Sequence, residues 1–172
     1  MTNRARAGWQ LPAAIFAVLL AMTGCTRLPP TTAYAVPPVP AQQARIWFYR
    51  DLDPNGSMAT PAVRLNGAVA GVSQAGGAFY RDVPPGHYHI NADSYLTDAI
   101  QTRDVDLAPG QEAFAKVLSL DNWIEGFAQD AGASYHRETF YVWLYPAEVA
   151  RPRIAQSFFY GDSTLTAAVP PR

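Results

Sequence analysis

The sequence predicts a mainly β domain, a single antiparallel β-sandwich of about seven short strands with one or two short helices, on three observations. Short β-branched and aromatic runs recur between turn residues, an Asn-Gly pair separates two apolar runs, and few windows carry helical periodicity. The first strand is expected at Arg45-Ile46-Trp47-Phe48-Tyr49-Arg50, a run too stiff at χ1 to favour helix. Ala62-Val63-Arg64-Leu65 and Ala68-Val69-Ala70-Gly71-Val72 flank Asn66-Gly67, which suits the positive φ angles of a type I′ hairpin turn. Ala78 to Val83 follows and is stopped by Pro84-Pro85-Gly86. His87 to Asp93 then alternates with period two, so Tyr88, Ile90 and Ala92 are expected to face the core. Val105 and Leu107 lead into Ala108-Pro109-Gly110-Gln111, a type II turn signature, and Ala113 to Leu120 continues as a strand. A last strand is expected within Tyr135 to Tyr145. Asn122 to Phe127 and Pro146 to Ile154 are the helical candidates, the second limited by Pro152 to a turn or two.

Ahead of this domain stand Arg4 and Arg6, an uncharged stretch from Leu11 to Met22, and Leu19-Leu20-Ala21-Met22-Thr23-Gly24-Cys25, which holds the only cysteine. Twelve helical residues span about 18 Å against about 30 Å of bilayer hydrocarbon, so the stretch reads as a secretory signal and not as a membrane span. The run ending at Cys25 resembles a lipobox. In bacterial lipoprotein precursors such a cysteine is acylated and becomes the new N-terminus, which implies a diacylglycerol and an N-acyl chain, palmitate among them, on Cys25. Several acyl chains together hold a protein essentially permanently. Thr26 stands where an Asp would signal inner-membrane retention in enteric lipoproteins, so the resemblance points to the outer membrane, facing the periplasm. No other cofactor is expected.

The chain divides into a signal peptide (1–24), a lipidated N-terminus and Pro-rich linker (25–43), the sandwich (44–160) and a C-terminal tail (161–172) expected to be disordered. The linker carries Pro29, Pro30, Pro37, Pro38 and Pro40. Read as polyproline at about 3.1 Å per residue, it reaches about 55 Å; the other reading packs Tyr34 to Val39 on the domain as an edge segment. Cleavage before Cys25 leaves 148 residues with 11 basic and 14 acidic side chains. One lysine and scattered arginines do not make the basic stripe that phosphate recognition needs, which argues against nucleic acid as a partner.

The runs Ala44 to Arg50, Val63-Arg64-Leu65-Asn66-Gly67 with Gly71, Phe79 to Tyr88, and Leu107-Ala108-Pro109-Gly110-Gln111 resemble the bacterial lipoprotein family catalogued as domain of unknown function 2846, over about residues 44–120. The resemblance implies a small sandwich akin to PEGA and carboxypeptidase-regulatory-like modules. It implies no catalytic residues.

Four groups have chemistry to weigh. Asp51-Leu52-Asp53-Pro54-Asn55-Gly56 matches the first half of an EF-hand loop, but Ala62 stands where a bidentate Glu is required, so a polar connection is the better reading. His87 and His89 project from one face of a strand and supply two corners of a metal site if His136, Asp93 or Asp104 comes near; otherwise they are solvated imidazoles. Gly71-Val72-Ser73-Gln74-Ala75 is similar to a nucleophile elbow without the strand-to-helix context that exposes the serine. Trp47, Tyr49, Trp143 and Tyr145 lie on alternating strands, and either they form an exposed interaction surface or they fill the interior; Trp123, Ile124 and Phe127 pose the same choice. The sequence therefore predicts a lipid-anchored, non-catalytic binding or scaffolding module whose partner is another envelope protein or cell-wall glycan. A metal-assisted hydrolase, or an accessory subunit of an envelope transport or assembly complex, is the alternative.

Overall fold

A computed structural model describes residues 28–53, 57–94, 101–125 and 134–161, with backbone alone at 120–125 and 134–138. The run ending at Cys25, Pro54 to Gly56, Phe127 and the tail from residue 162 lie outside the described residues. The chain order is β1 (Ala44–Tyr49), β2 (Ala62–Leu65), β3 (Ala68–Val72), β4 (Gly77–Val83), β5 (Gly86–Ala92), β6 (Arg103–Leu107), β7 (Glu112–Glu125), β8 (Ser134–Leu144), helix α1 (Ala147–Gln156) and β9 (Phe158–Phe159). Two sheets result, ordered β8-β7-β1-β4-β9 and β3-β2-β5-β6.

The core lies between them and follows from strand alternation. Ile46 and Phe48 of β1, Phe79 of β4, and Val117 and Val142 of the β7–β8 ladder meet Val63, Leu65, Tyr88 and Ile90 of the other sheet, all essentially inaccessible to water. Tyr88, Ile90 and Ala92 point inward as expected, and the Tyr88 hydroxyl donates to the Pro84 carbonyl at 2.6 Å, satisfying its polar end. Asn66 and Gly67 take φ of 50° and 87°, the left-handed pair of a type I′ turn, and Gly110 takes 78° where a type II turn requires it.

Two of the pairings are parallel, β1 with β7 and β4 with β9, a departure from a purely antiparallel sandwich. The cause lies in chain path. The four strands β2, β3, β5 and β6 build the second sheet, so the chain re-enters the first at the same end where β1 began; Gly110 donates to Gln43 (2.7 Å) and Arg45 to Gln111 (2.9 Å) at that junction.

Three expectations are corrected. Asn122 to Glu125 are strand, because β7 continues against β8 as far as the Glu125–Ser134 pair. Helix α1 runs ten residues through Pro152. An internal proline costs a helix about 3 kcal/mol, which is offset by Ala150 and Ile154, one turn apart, burying themselves on Trp47, Tyr49 and Phe114. Third, of the two readings of the Pro-rich segment the packed one holds, and docking begins well before Tyr34, at residue 29. Phe159 donates to the Pro29 carbonyl (3.2 Å), Pro30 bridges Phe158, and the Thr31 amide and hydroxyl both donate to the Ser157 carbonyl (2.8 and 3.0 Å). After a 3-10 turn at Thr31–Ala33 the segment crosses the outer face of the first sheet, where Val36 packs beside Trp47. Prolines here close the β9 edge, since they lack the amide that would template another strand.

Candidate binding site

On β1 the alternation sends Arg45, Trp47 and Tyr49 to the face opposite the core. That face would be exposed in an uncovered sheet, but α1 and the Pro-rich strap cover it, and all six β1 residues are buried. Trp47 and Tyr49 are therefore packing residues and not half of an exposed aromatic surface. The Tyr49 hydroxyl is buried without a hydrogen-bond partner among the described residues, and burial pushes its pKa up to about 12. Of the four aromatics proposed as a surface only Trp143 is largely open, 48% exposed with the Arg103 guanidinium 3.9 Å from its ring centre; Tyr145 is half-buried near Lys116.

Where the strap meets the sheet it leaves a cleft of about 420 Å³, lined by Val36, Pro37, Trp47, Glu112, Phe114 and Arg151 among others. This is within the range of small-ligand pockets. Arg45 fixes its floor. Its Nε and Nη2 donate to the two Asp82 oxygens (2.6 and 2.9 Å), its Nη1 donates to the Pro37 carbonyl (2.7 Å), and the guanidinium lies 4.0 Å from the Tyr80 ring centre. Burial alone would lower the Arg45 pKa; the Asp82 hydrogen bond and charge outweigh it, and the net shift is upward. At the mouth, Trp47 Nε1 donates to Glu112 Oε1 (3.1 Å) and Arg151 donates to Glu112 Oε2. The walls are thus aliphatic and aromatic, with a cation at the rim and a carboxylate already committed to two donors. Such a lining suits an extended apolar or mildly acidic segment and supplies no nucleophile.

The other candidates separate in space. Asp51 accepts from Lys116 (2.6 Å) and Arg153 (2.7 Å), so the first EF-hand position is neutralised by two cations where calcium would need a bare carboxylate. Ser73 is buried just beyond β3 with its amide bonded to Pro61, and strand β4 follows where a nucleophile elbow needs a helix. His87 and His89 stand on the outer face of the second sheet, directly opposite Asp106 and Asp104 of β6. His87 Nδ1 meets Asp106 at 2.9 Å, its Nε2 lies 3.4 Å from Asp104, and His89 Nδ1 meets Asp104 at 2.8 Å. Asp104 does come near, as a metal site would require, but three of the four ring nitrogens face carboxylates across an open ladder. Among the described residues no group of three His, Cys, Asp or Glu is gathered for a metal. His136 sits on the other sheet, in register with Trp123; its side chain, like those of Trp123 and Ile124, lies outside the described set.

The ladder has a pH signature. The Asp106 hydrogen bond raises the His87 pKa above its ordinary value, and the His89 hydrogen bond lowers that of Asp104. A raised histidine stabilises the fold below its unfolded pKa and stops doing so as pH rises through the folded one; a lowered carboxylate contributes above its unfolded pKa and is lost as pH falls through the folded one. The pairing is therefore strongest at mildly acidic pH. His87→Gln is expected to lower the melting temperature slightly near pH 5.5 and not at all near pH 8.5, and an equal deficit at both would mean that charge pairing is not its role.

No protein-family model, curated protein or solved structure matches this chain.

Proposed function

We propose that this protein is a lipid-anchored, non-catalytic binding or scaffolding module of the outer membrane, held through acyl chains on Cys25, whose strap-walled cleft receives an extended segment of another envelope protein. The observation that carries this reading is the cleft itself. Its walls are Pro37, Trp47 and Phe114, and its charged groups are each paired, Arg45 with Asp82 and Arg151 with Glu112, in a way that orders a surface and activates none of them. Occupying it would bury apolar area without stranding a charge. Trp143 favours glycan as a second reading, because a solvent-exposed aromatic ring is what sugar stacking uses.

Two measurements bear on this. Cys25→Ser is expected to abolish palmitate incorporation and leave an unprocessed or soluble product; persistent labelling would defeat the anchor. For the cleft, a photo-crosslinking residue at Pro38 should trap one defined envelope protein in intact cells, while the same probe at Asp106, on the opposite face, should not. Equal adducts from both positions, or none from Pro38, would remove the cleft as the binding surface.

A further inference from the structure

We infer that the sandwich is held close to the lipid surface that carries its anchor, with the strap edge toward the headgroups and the cleft facing sideways; this rests on acylation of Cys25, and takes the lipid surface itself as the occupant of that edge. Chain length sets the orientation. The strap is bonded to the fold from Pro29, through Phe159 and then Ser157, and Thr31 is buried there. Only Thr26, Arg27 and Leu28 separate the acylated position from the first docked residue. Four residue steps, even fully extended, reach about 14 Å. A domain of this size has a radius of gyration of about 13 Å and thus an outer radius of about 17 Å. The leash is shorter than that radius, so the molecule cannot turn its attachment edge away from the bilayer. A free Pro-rich tether of about 55 Å would have allowed any orientation.

The residues at that edge suit the position. Leu28 is 46% exposed and Tyr34 is 39% exposed, the latter with its ring 4.8 Å from that of Phe159. An aliphatic and an amphipathic aromatic side chain, both open to solvent beside the point of attachment, are what a headgroup boundary accommodates. Strand β6, which carries Asp106, packs on β7 and β8 at the other end of the sheets from β9 and then lies away from the lipid.

The test uses the full mature lipoprotein in phosphatidylethanolamine/phosphatidylglycerol vesicles containing headgroup spin-labelled lipid. Single cysteines at Tyr34→Cys, Thr32→Cys and Asp106→Cys carry a fluorophore, Cys25 being blocked by its acyl chains. Quenching is expected to be several-fold stronger at positions 32 and 34 than at 106. Inserting a Gly/Ser segment of about 20 residues after Thr26, which adds a root-mean-square reach of about 25 Å, should remove that difference while intact mass shows the acyl chains retained. Equal quenching at the three positions, or a difference that survives the insertion, overturns the apposition. A mass without acyl chains overturns the anchor, and the leash with it.

Discussion

Arg45→Ala is expected to lose about 3–5 kcal/mol of stability and to release the Pro-rich strap. Arg45 is 2% exposed and Asp82 20%. Two charges removed from water at that depth persist because each satisfies the other in a bidentate pair and because the remaining Arg45 donor meets the Pro37 carbonyl. Truncation to alanine strands the carboxylate beneath the strap and leaves a carbonyl without its donor, and the loss of the guanidinium also removes the plate on which Tyr80 rests. Arg45→Lys keeps the charge but offers no fork, so it should recover only part of the deficit. Denaturant unfolding gives the magnitude; limited proteolysis gives the location, with new cuts expected between residues 30 and 43. A variant within 1 kcal/mol of the parent, with a protease-resistant strap, would show that docking does not depend on this pair.

The same residue shows where the sequence stopped being legible. Alternation in Arg45 to Arg50 says which side chains share a face, and in β5 it places Tyr88, Ile90 and Ala92 correctly, because the core side of a sheet is decided by neighbours whose own pattern is readable. What covers the other side is decided elsewhere. Thr31 bonds to Ser157 across 126 positions, and a polyproline-like segment carries no hydrophobic period that could announce its partner. Hence the sequence leaves both a surface and an interior reading of Trp47 and Tyr49 standing. A fragment started at residue 44, the apparent domain boundary, would discard the Pro37 carbonyl and uncover that cluster.

Local propensity failed for related reasons. Pro152 argues for a helix end, and it is overruled because Ala150 and Ile154 find a prepared apolar face. Asn122 and Glu125 do not favour strand on their own, and the segment is strand because it continues a β7–β8 ladder of eleven paired positions. The turns succeeded because their information is intrinsic: Asn66, Gly67 and Gly110 need positive φ wherever the rest of the chain goes. For the candidate site, only Trp47 among the cleft residues could be singled out from the sequence. Glu112 and Arg151 are ordinary surface charges until the β1–β7 pairing and α1 bring them to the same indole and carboxylate.

Phe79→Ala should cost about 3–5 kcal/mol, and its partner Gly71 makes the origin of that cost testable. Phe79 is 1% exposed, its ring stacked 4.9 Å from that of Phe48 and tilted at 5.5 Å from that of Tyr160. Its edge meets the other sheet at Gly71, where an added methyl carbon would stand 2.5 Å from Phe79 Cε2. Glycine is therefore required at position 71 by close approach and not by a turn. Arg81 closes the same corner, its guanidinium 5.2 Å from the Phe79 ring centre and its Nε donating to the Ala70 carbonyl at 2.6 Å, and burial holds its pKa below the ordinary value. Gly71→Ala alone should cost about 1–3 kcal/mol, since a core aromatic must leave its rotamer. Phe79→Leu alone leaves a void, and Gly71→Ala with Phe79→Leu places the new methyl near the space the ring vacated. The pair should be less destabilised than the sum of its parts, with a coupling of about 1–3 kcal/mol. Additive effects, or a neutral Gly71→Ala, would mean that the sheets are not closed through this contact, and the tight corner joining β3 to β4 would have to be held by Arg81 instead.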